Sequence, residues 1–368
     1  MAGPSITQLE ENIVLDAVRN GWYGKDAYYY VEKFENEFAK YHNRKFGLMT
    51  PNCTTALHLL LAGLGITEGD EVIVPDCTWI GSVAGISYLK AKTVFADIDP
   101  IHWCLTAETI ERCITSKTKA VIVVDLFGNM PEYDQIIALC EKQNIILIED
   151  AAEALGSVYN GVRAGKFGIG STFSFHRTKT ITTGEGGMLL IDDDKLYERC
   201  KFLRDHGRAP GTYFNTEVTF KYMPFNIQAA LGYAQFQRIE ELVEKKRWIL
   251  NGFKKKLENI KDIYLNPEPE CVINGAWAPA LVFGKSHKVT KEEALIEISK
   301  SNVPVRPFFY PLSSLPAFNQ FEYGLKNNPV AYDVSSRGIN LPCALNLTEE
   351  NLDSYSAIIY NFLRTKHG

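Results

Sequence analysis

The chain has 368 residues, 46% of them apolar and 23% charged, which is the composition of a soluble globular protein. This length exceeds what one compact core holds and predicts two domains. A net charge of −5 argues against a nucleic-acid-binding protein, and the lack of an 18-residue apolar run argues against a membrane span. The N-terminal residues lack the order of a signal peptide, and the eight cysteines form no CxxC pair. We therefore expect free thiols, no zinc site and a cytoplasmic protein.

Apolar runs and helical patterns alternate along the first half of the chain. In chain order, the sequence predicts a helix over 53–65, a strand over 71–75, a helix over 78–90, a strand over 93–99, a helix over 106–115, a strand over 120–128, a helix over 131–143 and a strand over 145–156. Strands that are apolar nearly throughout and separated by helices indicate a parallel sheet covered on both faces. Active sites of such sheets lie at the carboxyl ends of the strands.

The second half of the chain predicts a change of architecture. A short alternating strand over 171–176 leads to a glycine turn that returns into another strand, within 182–193. Residues 226–260 have a long helical pattern that leads out of the first domain. We place the boundary between a large domain, 1–238, and a smaller C-terminal α+β domain, 239–368. Within the latter, "APALVFG" is a strand, and "TKEEALIEISKSN" begins as a helix with a capping box.

The stretch "FHRTKTITTGEGGM" places Lys179 close to a cluster of glycines. In a P-loop the lysine follows the glycines, and a Rossmann turn needs G-x-G-x-x-G between a strand and a helix, so neither pattern fits. The glycines instead predict a sharp backbone turn. Lys179 is then either a solvated surface lysine or an amine that binds a carbonyl compound covalently.

Asp150 ends a predicted buried strand, 29 residues before Lys179. A carboxylate at such a place is costly unless it has a cationic partner, although an ordinary capped turn would also explain it. The protonated ring nitrogen of pyridoxal phosphate is such a partner. This cofactor requires a lysine for its aldehyde, an acid for its nitrogen and donors for its phosphate. The pair Lys179 and Asp150 therefore predicts pyridoxal phosphate chemistry.

Longer motifs resemble those of one enzyme family. "IEDAAEALGS" and "FSFHRTKTITTGEGGML", together with residues 54–86, "FADIDPIHWCL" and "RGINLP", resemble the DegT/DnrJ/EryC1/StrS sugar aminotransferases over nearly the whole chain. The resemblance implies an α/β chain of the type I aminotransferase fold, with a mostly parallel sheet in a large domain and a smaller α+β domain. It also implies amination of a nucleotide-linked 4-keto-6-deoxy sugar. A small phosphorylated ketone or a non-nucleotide sugar are the alternative acceptors.

The resemblance also assigns a phosphate site to this chain. The family binds the cofactor phosphate at a turn that opens a helix, here Asn52, Cys53 and Thr54, and helix N-termini favour anions. Cys53 stands where the family has glycine. Ser174 matches a serine that contacts the same phosphate. Lys221 stands where many members have an asparagine that reaches the phosphate of the neighbouring subunit. A plain helix cap and a solvent-facing strand serine are the simpler interpretations.

Further residues are implied around the cofactor ring and the substrate. Trp79 matches an aromatic residue that lies against the ring, and Glu153 a residue near its 3′-oxygen. A core tryptophan and an exposed helix glutamate are the alternatives. Arg306, Tyr310 and Arg337 belong to small-domain segments that border the substrate in the family, and structural pairing would equally explain them.

The resemblance further implies a reaction and an assembly. Lys179 would carry the proton between the amino donor, expected to be glutamate, and the cofactor, in a homodimer whose segment 215–226 reaches the partner's cofactor phosphate. Dehydratases of the family have histidine at the position of Lys179. A non-catalytic sensor on the same fold would be expected to lose Lys179 or Asp150. Because both residues are present, the sequence favours transamination.

Overall fold

The computed structural model describes residues 2–209 and 211–367, without the side chains of 365–367. Its largest sheet has seven strands in the order β1-β9-β8-β5-β4-β2-β3. These seven strands are β1 (Phe46–Thr50), β2 (Glu71–Pro75), β3 (Lys92–Ala96), β4 (Thr118–Val124), β5 (Ile146–Asp150), β8 (Gly170–Ser174) and β9 (Gly187–Ile191). Two short strands between β5 and β8, β6 (Val158–Tyr159) and β7 (Val162–Arg163), belong to another sheet.

Every strand of the large sheet except β9 runs in the same direction. The pairs β2–β3, β2–β4, β4–β5 and β5–β8 are parallel, whereas β9 is antiparallel to both β8 and β1. The carboxyl ends of β1, β2, β4, β5 and β8 therefore meet at one edge of the sheet, which is where open α/β sheets place ligands. The predicted mostly parallel sheet is confirmed.

Both faces of this sheet are buried because successive strand residues point to opposite sides. In β4, Val121 and Val123 pack into one apolar core, whereas Ile122 and Val124 pack into the other. The helices that cover the two faces are α1 (Gln8–Asn20), α2 (Tyr29–Tyr41), α3 (Cys53–Gly63), α4 (Gly81–Tyr88), α5 (Ala107–Glu111), α6 (Tyr133–Gln143), α7 (Asp194–Arg204) and α8 (Asn226–Gln237).

The predicted strands over 120–128 and 145–156 are too long. β4 ends at Val124 because the chain then turns through a short 3-10 segment, with Phe127 in the left-handed region at φ +55°. β5 ends at Asp150 because the carbonyl of Ala151 accepts the N–H of Ala154 in a turn. Apolar composition continues past both strands, but the backbone pairing stops at the sheet edge. The helices predicted over 53–65, 78–90, 106–115 and 131–143 are likewise shorter than their apolar patterns.

The predicted single helix over 226–260 is two helices, α8 and α9 (Ile239–Leu257), which meet at Arg238. Arg238 leaves helical geometry at φ −108° and ψ 15°, and its guanidinium binds both Glu10 and Glu241. Within α9, Leu242 belongs to the core of the large sheet and Phe253 to a core of the C-terminal part. The helix thus connects two cores, and the domain boundary at 238/239 stays a prediction.

The C-terminal part is an α+β unit built on a four-stranded antiparallel sheet, in the order β10-β12-β14-β13. Its strands and helices are β10 (Ile263–Leu265), β11 (Val272–Ile273), β12 (Ala280–Phe283), α10 (Lys291–Ser299), β13 (Arg306–Pro307), α11 (Phe321–Asn327), α12 (Pro329–Arg337), β14 (Gly338–Asn340) and α13 (Glu349–His367), where β11 joins β6 and β7 in a three-stranded sheet. The cap at Thr290 forms, since its hydroxyl accepts the N–H of Glu293. All eight cysteines are free thiols. Along 2–209 and 211–367, no helix is long and apolar enough to cross a bilayer.

Candidate active site

The start of α3, directly after β1, presents backbone donors at the carboxyl edge of the sheet. The Asn52 side chain caps the helix by accepting the N–H of Thr55 at 2.9 Å. The N–H groups of Cys53 and Thr54 are left without an intrahelical acceptor, as first-turn groups always are. A side chain on Gly187 would come within 2.6 Å of the Cys53 nitrogen. Gly187 thus lets β9 begin directly against this helix start.

Lys179 lies on the turn between β8 and β9, with its side chain only 12% exposed. Its ammonium Nζ is 3.1 Å from Glu153 Oε1 and 3.6 Å from the centroid of the Trp277 ring. Gly184 makes the turn possible at φ +83°, and its N–H binds the Thr182 hydroxyl. The glycine cluster therefore shapes the backbone around Lys179, as the sequence predicted. A solvated surface lysine is excluded by this burial.

Glu153 is buried in the turn after β5, at 6% exposure. Its second oxygen accepts the N–H of Phe127 at 3.0 Å, so the strained turn after β4 holds this carboxylate. Burial raises the pKa of Glu153, while the charge of Lys179 and the Phe127 N–H act against that rise. The alternative of an exposed helix glutamate is therefore wrong.

Asp150 is 2% exposed at the end of β5. Its Oδ1 accepts the N–H of Ala152 at 3.1 Å, and the Cys53 thiol lies 4.0 Å away. Burial raises the pKa of Asp150, whereas hydrogen bonds from Ser82 and Ala152 and the charge of Lys179 lower it. Within the described residues Asp150 has no ion pair, so it is a buried acid suited to a cationic ligand group.

Trp79 and the start of α3 lie side by side. The Trp79 side chain is 62% exposed, so it is not a core tryptophan. A side chain on Gly81 would meet both Thr54 Oγ1 and Trp79 Cδ1 at 3.0 Å. Cys53 is neutral, because burial raises the pKa of its thiol. A planar aromatic surface and a helix N-terminus thus stand next to each other.

The two remaining predicted phosphate ligands, Ser174 and Lys221, have different surroundings. Ser174 ends β8 and is partly buried, and its hydroxyl accepts the N–H of His176 at 3.3 Å. Lys221 is half exposed and pairs with Asp205 at 2.6 Å. No hydrogen bond or ion pair connects Lys221 with the α3 start in the part of this chain that the structure describes. In the single chain the Lys221 ammonium is thus paired with Asp205.

The three predicted substrate residues lie in the C-terminal part. Arg306 is exposed. Burial lowers the pKa of His176, which lies three residues before Lys179, and the charge of Arg306 is one of several smaller causes of the same shift. Tyr310 is half exposed and its ring lies 3.5 Å from the ammonium of Lys291. Arg337 binds Asp333 and the carbonyl of Phe283. The contacts of Arg337 are thus structural pairings, whereas Arg306 is exposed.

Three residues of the site were missed by the sequence analysis: Ser82, Phe127 and Trp277. Ser82 lies one turn after Thr78, and their hydroxyls are 3.2 Å apart, so a polar pair at that spacing was a usable signal. Trp277 is 98 positions beyond Lys179 in the chain, and its neighbours in the sequence give no local signal. Its place depends on the packing of the C-terminal part against the β8–β9 turn.

The chemistry of these groups fits pyridoxal phosphate. A buried lysine would take the aldehyde, a buried unpaired carboxylate the ring nitrogen, and the N–H groups of a helix start the phosphate. All three lie at the carboxyl edge of one sheet. Fold and site thus define a pyridoxal phosphate-dependent enzyme of the type I aminotransferase fold.

Comparison with known proteins specifies the family. Residues 4–359 match the DegT/DnrJ/EryC1/StrS aminotransferase family, and the chain belongs to it. The chain is 37% identical to GDP-perosamine synthase of Escherichia coli O157:H7, over 95% of this chain and 94% of the relative. It is 33% identical to GDP-perosamine synthase of Vibrio cholerae, over 98% and 97% of the two chains. The predicted family is confirmed.

Solved structures agree with this assignment. The pyridoxal phosphate form of the putative sugar aminotransferase Spr1654 from Streptococcus pneumoniae has a TM-score of 0.92 and 26% identity, covering 99% of this chain and 98% of that one. A 3-amino-5-hydroxybenzoic acid synthase has a TM-score of 0.91 at 25% identity, covering 99% and 98%. The chain is a pyridoxal phosphate-dependent aminotransferase, and the predicted enzyme class and cofactor are confirmed.

Proposed function

We propose that this enzyme moves an amino group from glutamate to the ketone of a nucleotide-linked 4-keto-6-deoxy sugar. Its likeness to proteins named GDP-perosamine synthase supports this substrate and favours a GDP-linked acceptor. The observation that carries the proposal is the pairing of Lys179 with Glu153 at 3.1 Å, beside buried Asp150. We also propose that the enzyme works in the cytoplasm, where nucleotide sugars would be available to it.

Lys179 is the proposed catalytic amine. When bound, pyridoxal phosphate supplies an aldehyde that receives the amino group and a ring that accepts electron density. The Lys179 amine, once free, would take the proton from the α-carbon of the donor and return it on the cofactor side of the transferred nitrogen. Lys179 follows β8 at the carboxyl edge of the sheet, and one amine there would serve for both proton transfers, so that a second base would not be needed.

Asp150 is the proposed partner of the cofactor ring nitrogen. Its carboxylate is held in place by the Ala152 N–H and cannot turn toward water, because it lies at the end of a buried strand. Asp150 would hold the ring nitrogen of the bound cofactor in its protonated form, which would keep the ring positively charged. Preorganised charges of this kind stabilise a transition state without reorganisation. Glu153, fixed by the Phe127 N–H, is proposed to lie beside the 3′-oxygen.

The phosphate is proposed to bind at the N-terminus of α3. Cys53 and Thr54 would donate their free N–H groups, Ser174 its hydroxyl, and Trp79 would cover the ring face. Cys53 in place of glycine keeps the backbone N–H and adds a neutral thiol next to Asp150. Arg306 and Tyr310 are proposed to contact the sugar nucleotide. Arg337, whose guanidinium is held by Asp333, is proposed to border the substrate.

A homodimer with shared sites is the proposed assembly. Within segment 211–225, Phe214 is 70% exposed and Val218 fully exposed, and Tyr213 and Phe225 also face solvent in the single chain. Several large apolar side chains exposed along one segment are typical of a protein interface. If this segment covers the neighbouring subunit, the Lys221 ammonium, which lies within it, would be carried toward that subunit's phosphate.

The experiment that tests the substrate is a panel of keto sugars assayed with glutamate. It should contain GDP-, dTDP- and UDP-linked 4-keto-6-deoxy sugars, a 3-keto isomer, a small phosphorylated ketone and a free keto sugar. We expect amination of the GDP-linked 4-keto sugar with the highest kcat/KM. Turnover of only the phosphorylated ketone or the free sugar would establish the alternative acceptors. Glutamate-independent loss of a sugar hydroxyl would show a dehydratase instead.

A further inference from the structure

The indole of Trp277 is fixed from several directions next to Lys179. Its Nε1–H donates to the carbonyl of Thr178 at 2.8 Å, and its ring is parallel to that of Phe127, with 5.9 Å between centroids and 4° between planes. Phe127 is itself part of the turn whose N–H holds Glu153. One rigid unit therefore supports both contacts of the Lys179 ammonium.

A buried lysine holds the backbone of Trp277. The ammonium of Lys246, on α9, donates to the carbonyls of Cys343 at 2.6 Å and Trp277 at 3.2 Å, and the residue is 1% exposed. Among the described residues no carboxylate pairs with it. Burying an ammonium is costly, and here the two carbonyls are its compensation. Lys246 thus ties Trp277 to α9 and to the loop after β14.

The face of the Trp277 ring favours a charged amine. Lys179 Nζ lies 3.6 Å from the ring centroid, well inside the range of a cation–π contact, and the other partner of Nζ is the Glu153 carboxylate. Both partners attract an ammonium, and neither favours a neutral amine or an amine bound to a carbonyl carbon.

We propose that Trp277 is a further residue of the reaction: with Glu153 it forms a seat for the Lys179 ammonium whenever that amine is not bound to the cofactor. This inference rests on the proposed role of Lys179 as the catalytic amine. In the first half-reaction the amine would leave the cofactor as the donor amine takes its place, and it would return to the cofactor only when the product amine is released at the end of the second half-reaction. A seat beside the cofactor would keep the released Lys179 amine nearby. An amine held there as an ammonium would not attack the cofactor prematurely. Lys246 is a positioning residue that acts through Trp277.

Amine labelling of the cofactor-free protein tests the seat without relying on activity. We would treat wild type, W277F and W277L with a limiting amount of acetic anhydride and measure acetylation of each lysine by mass spectrometry. Lys221, half exposed and on another segment, is the internal reference. We expect Lys179 labelling relative to Lys221 to rise roughly fivefold or more in W277L, because a cation–π contact of this type is lost. W277F should stay close to wild type, since an aromatic face remains.

Several results would overturn the seat. One is Lys179 labelling in W277L within about twofold of wild type. Another is an equal rise in W277F and W277L, which would assign the effect to the Nε1 hydrogen bond. If W277L does not fold, W277M replaces it, and labelling equal to that of W277F contradicts the proposal. K246M should raise Lys179 labelling less than W277L does, as expected for a residue that acts through the indole.

A second experiment distinguishes an error in the proposed seat from an error in the proposed function. Borohydride reduction of wild-type holoenzyme followed by peptide mapping shows which lysine carries the cofactor. A label on another lysine rejects the proposed function whatever the acetylation result. A label on Lys179 together with unchanged acetylation in W277L leaves the proposed function standing and rejects only the seat.

Discussion

Replacing Asp150 by asparagine should affect activity and stability in opposite directions. The D150N variant keeps the shape of the side chain, so its Oδ1 can still accept the Ala152 N–H now found at 3.1 Å. It removes the charge that would hold a proton on the cofactor nitrogen. Loss of one preorganised electrostatic contact typically costs about 10²–10³ in rate, or about 3–4 kcal/mol. We therefore expect kcat for amination to fall at least about a hundredfold in holoenzyme.

The stability of the cofactor-free protein should not fall in D150N, in contrast to the activity of the holoenzyme. Burial raises the pKa of Asp150 above its ordinary value of 3.8, so the folded chain holds this proton more tightly than the unfolded chain does. The stability associated with this group is fully present below pH 3.8 and is lost as the pH rises through the raised pKa. The D150N side chain does not ionise. At pH 7 the cofactor-free variant should therefore be at least as stable as wild type, and the difference should disappear toward pH 4.

The D150A variant is the matched control. It removes the same charge but leaves the Ala152 N–H without its partner, which costs about 1–3 kcal/mol when buried. We expect D150A to match D150N in activity and to unfold at lower denaturant concentration. Amination would be followed by product chromatography, and stability by urea unfolding of cofactor-free protein from pH 4 to 8. D150N with activity within tenfold of wild type, or less stable than wild type at pH 7, would refute the reasoning.

Three further predictions concern the amine, the assembly and the N-terminal helix. K179H cannot bind the cofactor covalently and should lose glutamate-dependent amination. When K179H is incubated with added cofactor and amino-sugar product, their covalent adduct should accumulate and be visible by absorbance; multiple turnover by K179H would contradict the role of Lys179. F214S/V218S should sediment as a monomer and lose activity, whereas a fully active monomer would reject shared sites. Although burial by itself raises the pKa of Glu10, hydrogen bonds from Thr7 and Arg238 lower it to about 2. E10Q should therefore lower the free energy of unfolding, measured with urea at pH 7, by up to about 3 kcal/mol. This difference from wild type should shrink as the pH falls from 4.5 toward 2. A difference that does not change with pH would disprove the ion-pair origin.

Much of the cofactor site could be inferred from the sequence because its main parts are local. A buried apolar strand ending on Asp150, a lysine before a glycine turn and a polar cap at Asn52 each occupy a few consecutive residues. In a parallel sheet the carboxyl ends of such strands must meet at one edge, so local patterns also predicted their convergence. The family motifs extended this inference to Ser174 and Trp79.

The tertiary structure alone decided the features that depend on distant contacts. Apolar runs carry no mark of where backbone pairing ends, so β4 and β5 stop earlier than their composition indicates. The break at Arg238 follows from its pairing with Glu10, more than 200 positions earlier. Trp277 reaches Lys179 only because the C-terminal part packs against the β8–β9 turn, where Lys246 holds its carbonyl. Periodicity reports which side of an element is buried, whereas the partner of a buried group is chosen by packing between segments far apart in the chain.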